Sequence, residues 1–118
     1  MAQVVAWIDD VFFQSKLLET AKQLGVEVRT CATAGALGAE IAKAPPRLAV
    51  IDLNASSNPL EAFELLKAQE IPSIGFLSHV QMDLAERARA AGCGEVMPRS
   101  KFTENLATIL ARAKSDQK

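Results

Sequence analysis

Two hydrophobic periods take turns along this chain. Short continuous apolar runs suit strands covered on both faces, and each is followed by a stretch whose apolar residues recur at helical spacing. Residues 3–8 form the first run, which ends in acid at Asp9 and Asp10. Residues 11–24 come next, with Phe13, Leu17, Leu18, Ala21 and Leu24 on one predicted helical face. Gly25 ends that helix, because glycine accepts the left-handed conformation that closes it. Residues 26–32 alternate, Val26, Val28 and Thr30 against Glu27 and Arg29, which predicts a strand with one wet side or an exposed edge. Thr33 is placed to cap a weaker helix over 34–44, with Leu37, Ile41 and Ala44 inward, and Pro45-Pro46 ends it.

The second half repeats the scheme. Residues 48–53 are apolar around a single acid, Asp52, and residues 54–58 are a small-polar loop. Asn58-Pro59-Leu60-Glu61 predicts a capped helix start, with Leu60, Phe63, Leu65 and Leu66 inward and Glu61, Glu64 and Lys67 on the wet face. Residues 71–77 predict the fourth strand, with Ser78-His79 after it. Residues 81–91 predict a helix with Leu84, Ala85, Ala88 and Ala91 inward and Gly92 as its stop. Residues 93–97 predict a short fifth strand. Thr103 is placed to cap the last helix, where Leu106, Ile109, Leu110 and Ala113 face inward.

Five β-α units without a linker or low-complexity stretch predict one α/β domain over residues 1–118. Strict alternation implies a doubly wound parallel sheet with helices on both faces. Strands 1, 3 and 4 read as covered on both sides. Strand 2 alternates, and strand 5 is short, carries Glu95 and runs into Pro98, so these two suit the edges. The strand order expected is 2-1-3-4-5. It places Cys31 and Cys93 on opposite edges, roughly 19 Å apart, as free thiols of a reducing compartment.

Charge and composition mainly exclude. The chain has 118 residues, 13 basic and 14 acidic side chains and a net charge of -1. No basic excess exists to drive binding to nucleic acid or to a membrane surface. Aromatics are 5% and tyrosine is absent, which leaves no platform for stacking single-stranded bases. Hydrophobic residues at 49% and charged residues at 23% are ordinary for a folded domain. The first apolar run lacks a basic leader and meets two carboxylates, so it is neither a secretory signal nor a span of about 20 apolar residues. A cytoplasmic protein is expected.

The strand ends change the picture more. In an open parallel sheet, functional groups gather beyond the carboxyl ends of the strands where the order switches, here between strands 1 and 3. Asp9 and Asp10 end strand 1, Asp52 ends strand 3, Ser78 ends strand 4 and Arg99 follows strand 5. Three carboxylates, a hydroxyl and a cation would share one rim. Crowded carboxylates persist when a cation offsets them or when some take up protons. Oxygen donors without a nearby cysteine or second histidine suit a hard ion, and Mg²⁺ fits best. Phosphoryl transfer is the chemistry such a rim supports, with a carboxylate as nucleophile. Read alone, Asp9 would instead cap the first helix, with Asp10 in its first turn.

The pattern Ile8-Asp9-Asp10, then Asp52-Leu53-Asn54, then Ser78 resembles the receiver domain of bacterial two-component response regulators, element by element along the whole chain. The resemblance implies a flavodoxin-like (βα)5 fold. It implies that Asp52 is the phospho-acceptor, that Asp10 ligates Mg²⁺ directly, Asp9 through water and Asn54 by its carbonyl, with Asp52 completing the metal set. Ser78 would follow phosphorylation by moving toward the phosphoryl oxygens. It implies a stand-alone signalling module rather than an enzyme. Its partners would be a sensor histidine kinase or phosphotransfer protein and a downstream protein, with neither nucleic acid nor membrane contacted directly. The oligomeric state stays open, a dimer included. The family's reading surface would include Arg87, Arg89, Lys101 and Arg112.

The chain departs from that family in and after strand 5. The family has Lys-Pro after strand 5, whereas this chain has Met97-Pro98-Arg99-Ser100-Lys101-Phe102. Arg99 falls at the lysine position if no gap is opened, and Lys101 is the alternative. Val96 stands near the family's switch aromatic. This motivates a second reading, a pseudo-receiver that acts as a protein-interaction module without phosphate. A nucleotide binder or hydrolase on the same fold is disfavoured, since no glycine-rich loop follows strand 1 and His79, the one histidine, is adjacent to Ser78.

Overall fold

A computed structural model of the chain describes residues 3–56, 58–78 and 81–114. His79, weighed above, lies outside the described residues. The elements are β1 (Val4–Trp7), α1 (Val11–Leu24), β2 (Val28–Cys31), α2 (Ala34–Lys43), β3 (Leu48–Asp52), α3 (Ala62–Ala68), β4 (Ser73–Leu77), α4 (Met82–Ala91), β5 (Glu95–Pro98), α5 (Arg99–Glu104) and α6 (Leu106–Lys114). The sheet has the order β2-β1-β3-β4-β5 and every pairing is parallel. This is the doubly wound, flavodoxin-like arrangement expected from the alternation of periods.

The period-two alternation of the central strands divides the core in two. Val4, Ala6 and Ile8 of the first strand segment, with Val50, Ile74 and Phe76, face one layer, where Phe13, Leu17, Phe102, Ile109 and Leu110 cover them. Val5, Trp7, Ala49, Ile51 and Leu77 face the other, covered by Leu37, Ile41, Phe63, Leu66 and Ala88. Each fully buried side chain of this size contributes about 1.5–3 kcal/mol. Both layers are needed, because a strand such as β1 or β3, buried at every position, leaves no wet side. Cys31 and Cys93 are free and buried.

Helix α1 begins and ends where its sequence predicts, and Gly25 closes it at φ 74°. Its buried stripe is narrower than expected. Phe13, Leu17 and Ala21 are buried but Leu18 is exposed, as are Leu65 of α3 and, strongly, Phe12. Of the four residues expected inward on α4, Ala88 alone is fully buried.

Two helix starts differ from expectation. Asn58 adopts a left-handed conformation with φ 52° and its side chain caps nothing; Pro59–Glu61 is a 3₁₀ turn that leads into α3. After β5 the chain becomes helical at Arg99, directly after Pro98, and Thr103 lies inside α5 rather than capping the last helix. Pro98 cannot donate to the sheet and its extended conformation turns the chain out of β5 at once. Asn105 then separates α5 from α6, with its side-chain amide donating to the Lys101 carbonyl at 2.9 Å.

Candidate functional site

Parallel register brings the acidic strand ends to one rim. Trp7 of β1 pairs with Ile51 of β3, which places Asp9 and Asp10 just beyond the strand that ends in Asp52. Asp52 pairs with Phe76 of β4, so Ser78 lies two residues further along the same edge.

Each carboxylate already has partners. Asp10 is the N-cap of α1: its Oδ1 accepts from the Phe12 and Phe13 backbone N–H groups at 2.9 and 3.2 Å. The cap thus falls on the second acid of the pair, not on Asp9. Asp9 turns instead to the loop after β3, where its Oδ2 accepts from the Ser56 backbone N–H at 2.7 Å and from the Ser56 hydroxyl at 2.8 Å. Asp52 is buried, and its Oδ1 accepts from the Asn54 N–H at 3.0 Å. Asn54 joins the neighbouring loop, accepting from the Ser78 N–H at 2.7 Å and donating to Gln81 at 3.0 Å.

Arg99 completes the cluster. Its Nη1 lies 3.1 Å from Asp10 Oδ2 and its Nη2 lies 3.7 Å from Asp52 Oδ2. The guanidinium carbon stands 4.8 Å from the Phe13 ring centre and 5.5 Å from that of Phe76. Those rings belong to a packed trio with Phe102, in which Phe76 and Phe102 stack at 4.7 Å. Aromatic faces attract a guanidinium, so the trio is a floor as well as a core. Arg99 Nε is buried without a hydrogen-bond partner among the described residues. Lys101, the other candidate cation, is exposed.

The two central acids respond oppositely. Hydrogen bonds from the Phe13 backbone and from Arg99 hold the Asp10 carboxyl below the usual range. Burial pushes Asp52 up, and the Asp9 and Asp10 charges add to that, while the Asn54 N–H and Arg99 pull it down. For Asp52 the loss of hydration on burial outweighs the pull of the Asn54 N–H and of Arg99.

No protein-family model and no curated protein matches this chain. Solved structures do. The receiver domain of NtrX from Brucella abortus is similar with a TM-score of 0.78 at 21% identity, over 97% of this chain and 99% of that domain. The signal receiver domain of NarL from Mycobacterium tuberculosis gives 0.77 at 15%, over 97% of each chain. The fold is that of a response regulator receiver domain. Longer Brucella abortus NtrX is similar at 0.79 and 22%, over 93% of this chain, but the chain spans 26% of that protein.

A receiver fold implies Mg²⁺ at this rim. The donors are right in kind, being hard oxygens, but not in disposition. Asp10 has one oxygen on the α1 cap and the other on Arg99, and Asp9 faces Ser56. Among the described residues, no three His, Cys, Asp or Glu side chains form a group able to hold a metal. As arranged, the rim does not fit a divalent ion. Sequence reading placed Asp10, Asp52 and Arg99 on one rim, and their side chains meet there. It missed Ser56, Gln81 and the ring floor of Phe13 and Phe76. Phe13 and Phe76 were legible only as core residues, and Ser56 and Gln81 carry no pattern that marks a partner.

Arg112, expected on a basic reading surface, is paired with Glu95 at 2.6 Å. Among the described residues, no helix is long and apolar enough to cross a membrane.

Proposed function

We propose that this chain is a receiver module of a phosphorelay, with Asp52 as the residue that accepts the phosphoryl group. The observation that carries the reading is a buried carboxylate at the end of β3 held 3.7 Å from the Arg99 guanidinium, on a receiver fold. A carboxylate oxygen of Asp52 forms a bond to phosphorus, and the bond from phosphorus to the donor's leaving group breaks, its electron pair departing with that group. The product is an aspartyl phosphate. Arg99 is the cation placed to meet phosphoryl oxygens, where a planar fork can offer two donors. Ser78 ends the adjacent strand and would sense the new oxygens through its hydroxyl. The Asn54 side chain links the loops after β3 and β4, so a change at Asp52 reaches Ser78 and Gln81 together.

The donor in this reading is a sensor histidine kinase or a phosphotransfer protein, and the readout is a downstream protein. The chain is a signalling module rather than an enzyme. Incubation with acetyl phosphate, followed by intact-mass measurement and peptide mapping, tests the acceptor. One phosphoryl group on the peptide containing Asp52, absent from Asp52→Asn, is expected. No adduct, or an equal adduct on the variant, refutes the acceptor role and leaves a phosphate-independent interaction module.

A further inference from the structure

Receiver hollows bring carboxylates together, and a cation has to offset them. In this chain that cation is part of the protein. We propose that the Arg99 guanidinium is the built-in counter-cation of the rim, standing in the place of a divalent ion and keeping such ions out. The inference rests on the receiver reading only for the expectation that a divalent ion would bind.

Three observations carry it. First, one guanidinium reaches both central acids, at 3.1 Å from Asp10 and 3.7 Å from Asp52. A divalent ion between those oxygens would meet a fixed positive charge at close range. Second, Arg99 is held from below and behind. Its guanidinium carbon lies over the Phe13 and Phe76 rings, and Arg99 is the first residue of α5, immediately after Pro98 ends β5. A lysine-like excursion to solvent would abandon the rings as well as both acids. Third, the acids are not free to regroup. Rotating Asp10 toward a metal would release the two N–H groups at the start of α1, and turning Asp9 would release the Ser56 loop. Lys101 is exposed and leaves the role to Arg99.

The test uses the metal alone, with no phosphodonor. Mn²⁺ is titrated into the isotope-labelled full chain while paramagnetic broadening of amide signals is followed, and Mg²⁺ is titrated calorimetrically. In the wild type, no broadening centred on Asp10 and Asp52 is expected at submillimolar Mn²⁺. Arg99→Gln and Arg99→Ala are each expected to gain about tenfold or more in divalent affinity, centred on those residues. Adding Asp52→Asn to either is expected to abolish the gain. Dispersion of the same amide spectra reports whether each variant is folded, and Arg99→Gln retains much of the packing over the rings. Site-centred binding by the wild type as strong as by the variants overturns the proposal, and so does a folded variant that stays silent. Failure of Asp52 to accept phosphate would leave this result untouched, so the two readings fail separately.

Discussion

At the scale of single residues, position relative to a helix start decides what an acid does. Asp9 and Asp10 are neighbours in sequence, yet one latches a loop and the other caps a helix and pairs with Arg99. Which of two adjacent acids caps α1 depends on the residue at which the helix starts, and helix starts cannot be read from sequence to that accuracy. Asp52 was legible, because an acid closing an apolar strand has few structural reasons to be there. Its raised carboxyl has a thermodynamic consequence. Between the ordinary value of 3.8 and the raised folded value, the native state binds more protons than the unfolded chain, so stability falls as pH rises through that window. Asp52→Asn is therefore expected to be more stable than the wild type at neutral pH, with the difference vanishing in acid below the ordinary value. Urea unfolding of both proteins across that range measures it, and a destabilised variant at neutral pH would contradict it. Asp10 works the other way: its lowered carboxyl adds stability at neutral pH that is lost as the solution is acidified.

At the scale of elements, strands and the first two helices were legible from period alone, and the sheet order followed from which strands lacked a wet side. The misplaced boundaries have local causes. Asn58-Pro59 has the composition of a cap, but Asn58 takes a left-handed turn and the chain makes a 3₁₀ turn first. Thr103 has a capping side chain, but Pro98 had already set the chain on a helical course, leaving Thr103 inside α5. The stop at Gly92 was readable, because φ 115° there is a conformation that a side chain rarely adopts. An added Cβ would also meet the Lys67 side chain. Gly92→Ala is expected to cost about 1–2 kcal/mol, seen as a lower denaturation midpoint with unchanged slope. An unchanged midpoint would mean that the turn can be made another way.

At the scale of the whole molecule, one core layer also serves as the floor of the rim. Phe13, Phe76 and Phe102 come from α1, β4 and α5 and meet beneath Arg99. No sequence pattern announces that meeting, since the three residues lie far apart and each reads as ordinary core. Phe76→Ala is expected to cost about 3–5 kcal/mol of stability and to loosen Arg99 from both acids. Phe63→Ala, in the opposite layer, is expected to cost a similar amount while leaving Arg99 in place. Amide and guanidinium signals of Arg99 in the two variants separate a packing loss from a loss at the rim. If Phe63→Ala disturbs Arg99 as much as Phe76→Ala does, the floor has no special part.

The most direct measurement is the amide spectrum of the full chain on addition of beryllofluoride, a phosphoryl mimic, with Arg99 as the cation that meets it. Shifts concentrated at Asp52, Ser78 and Arg99 in the wild type, and absent from Asp52→Asn, are expected. An unresponsive wild type, or the same shifts in Asp52→Asn, would contradict a phospho-acceptor at the end of β3.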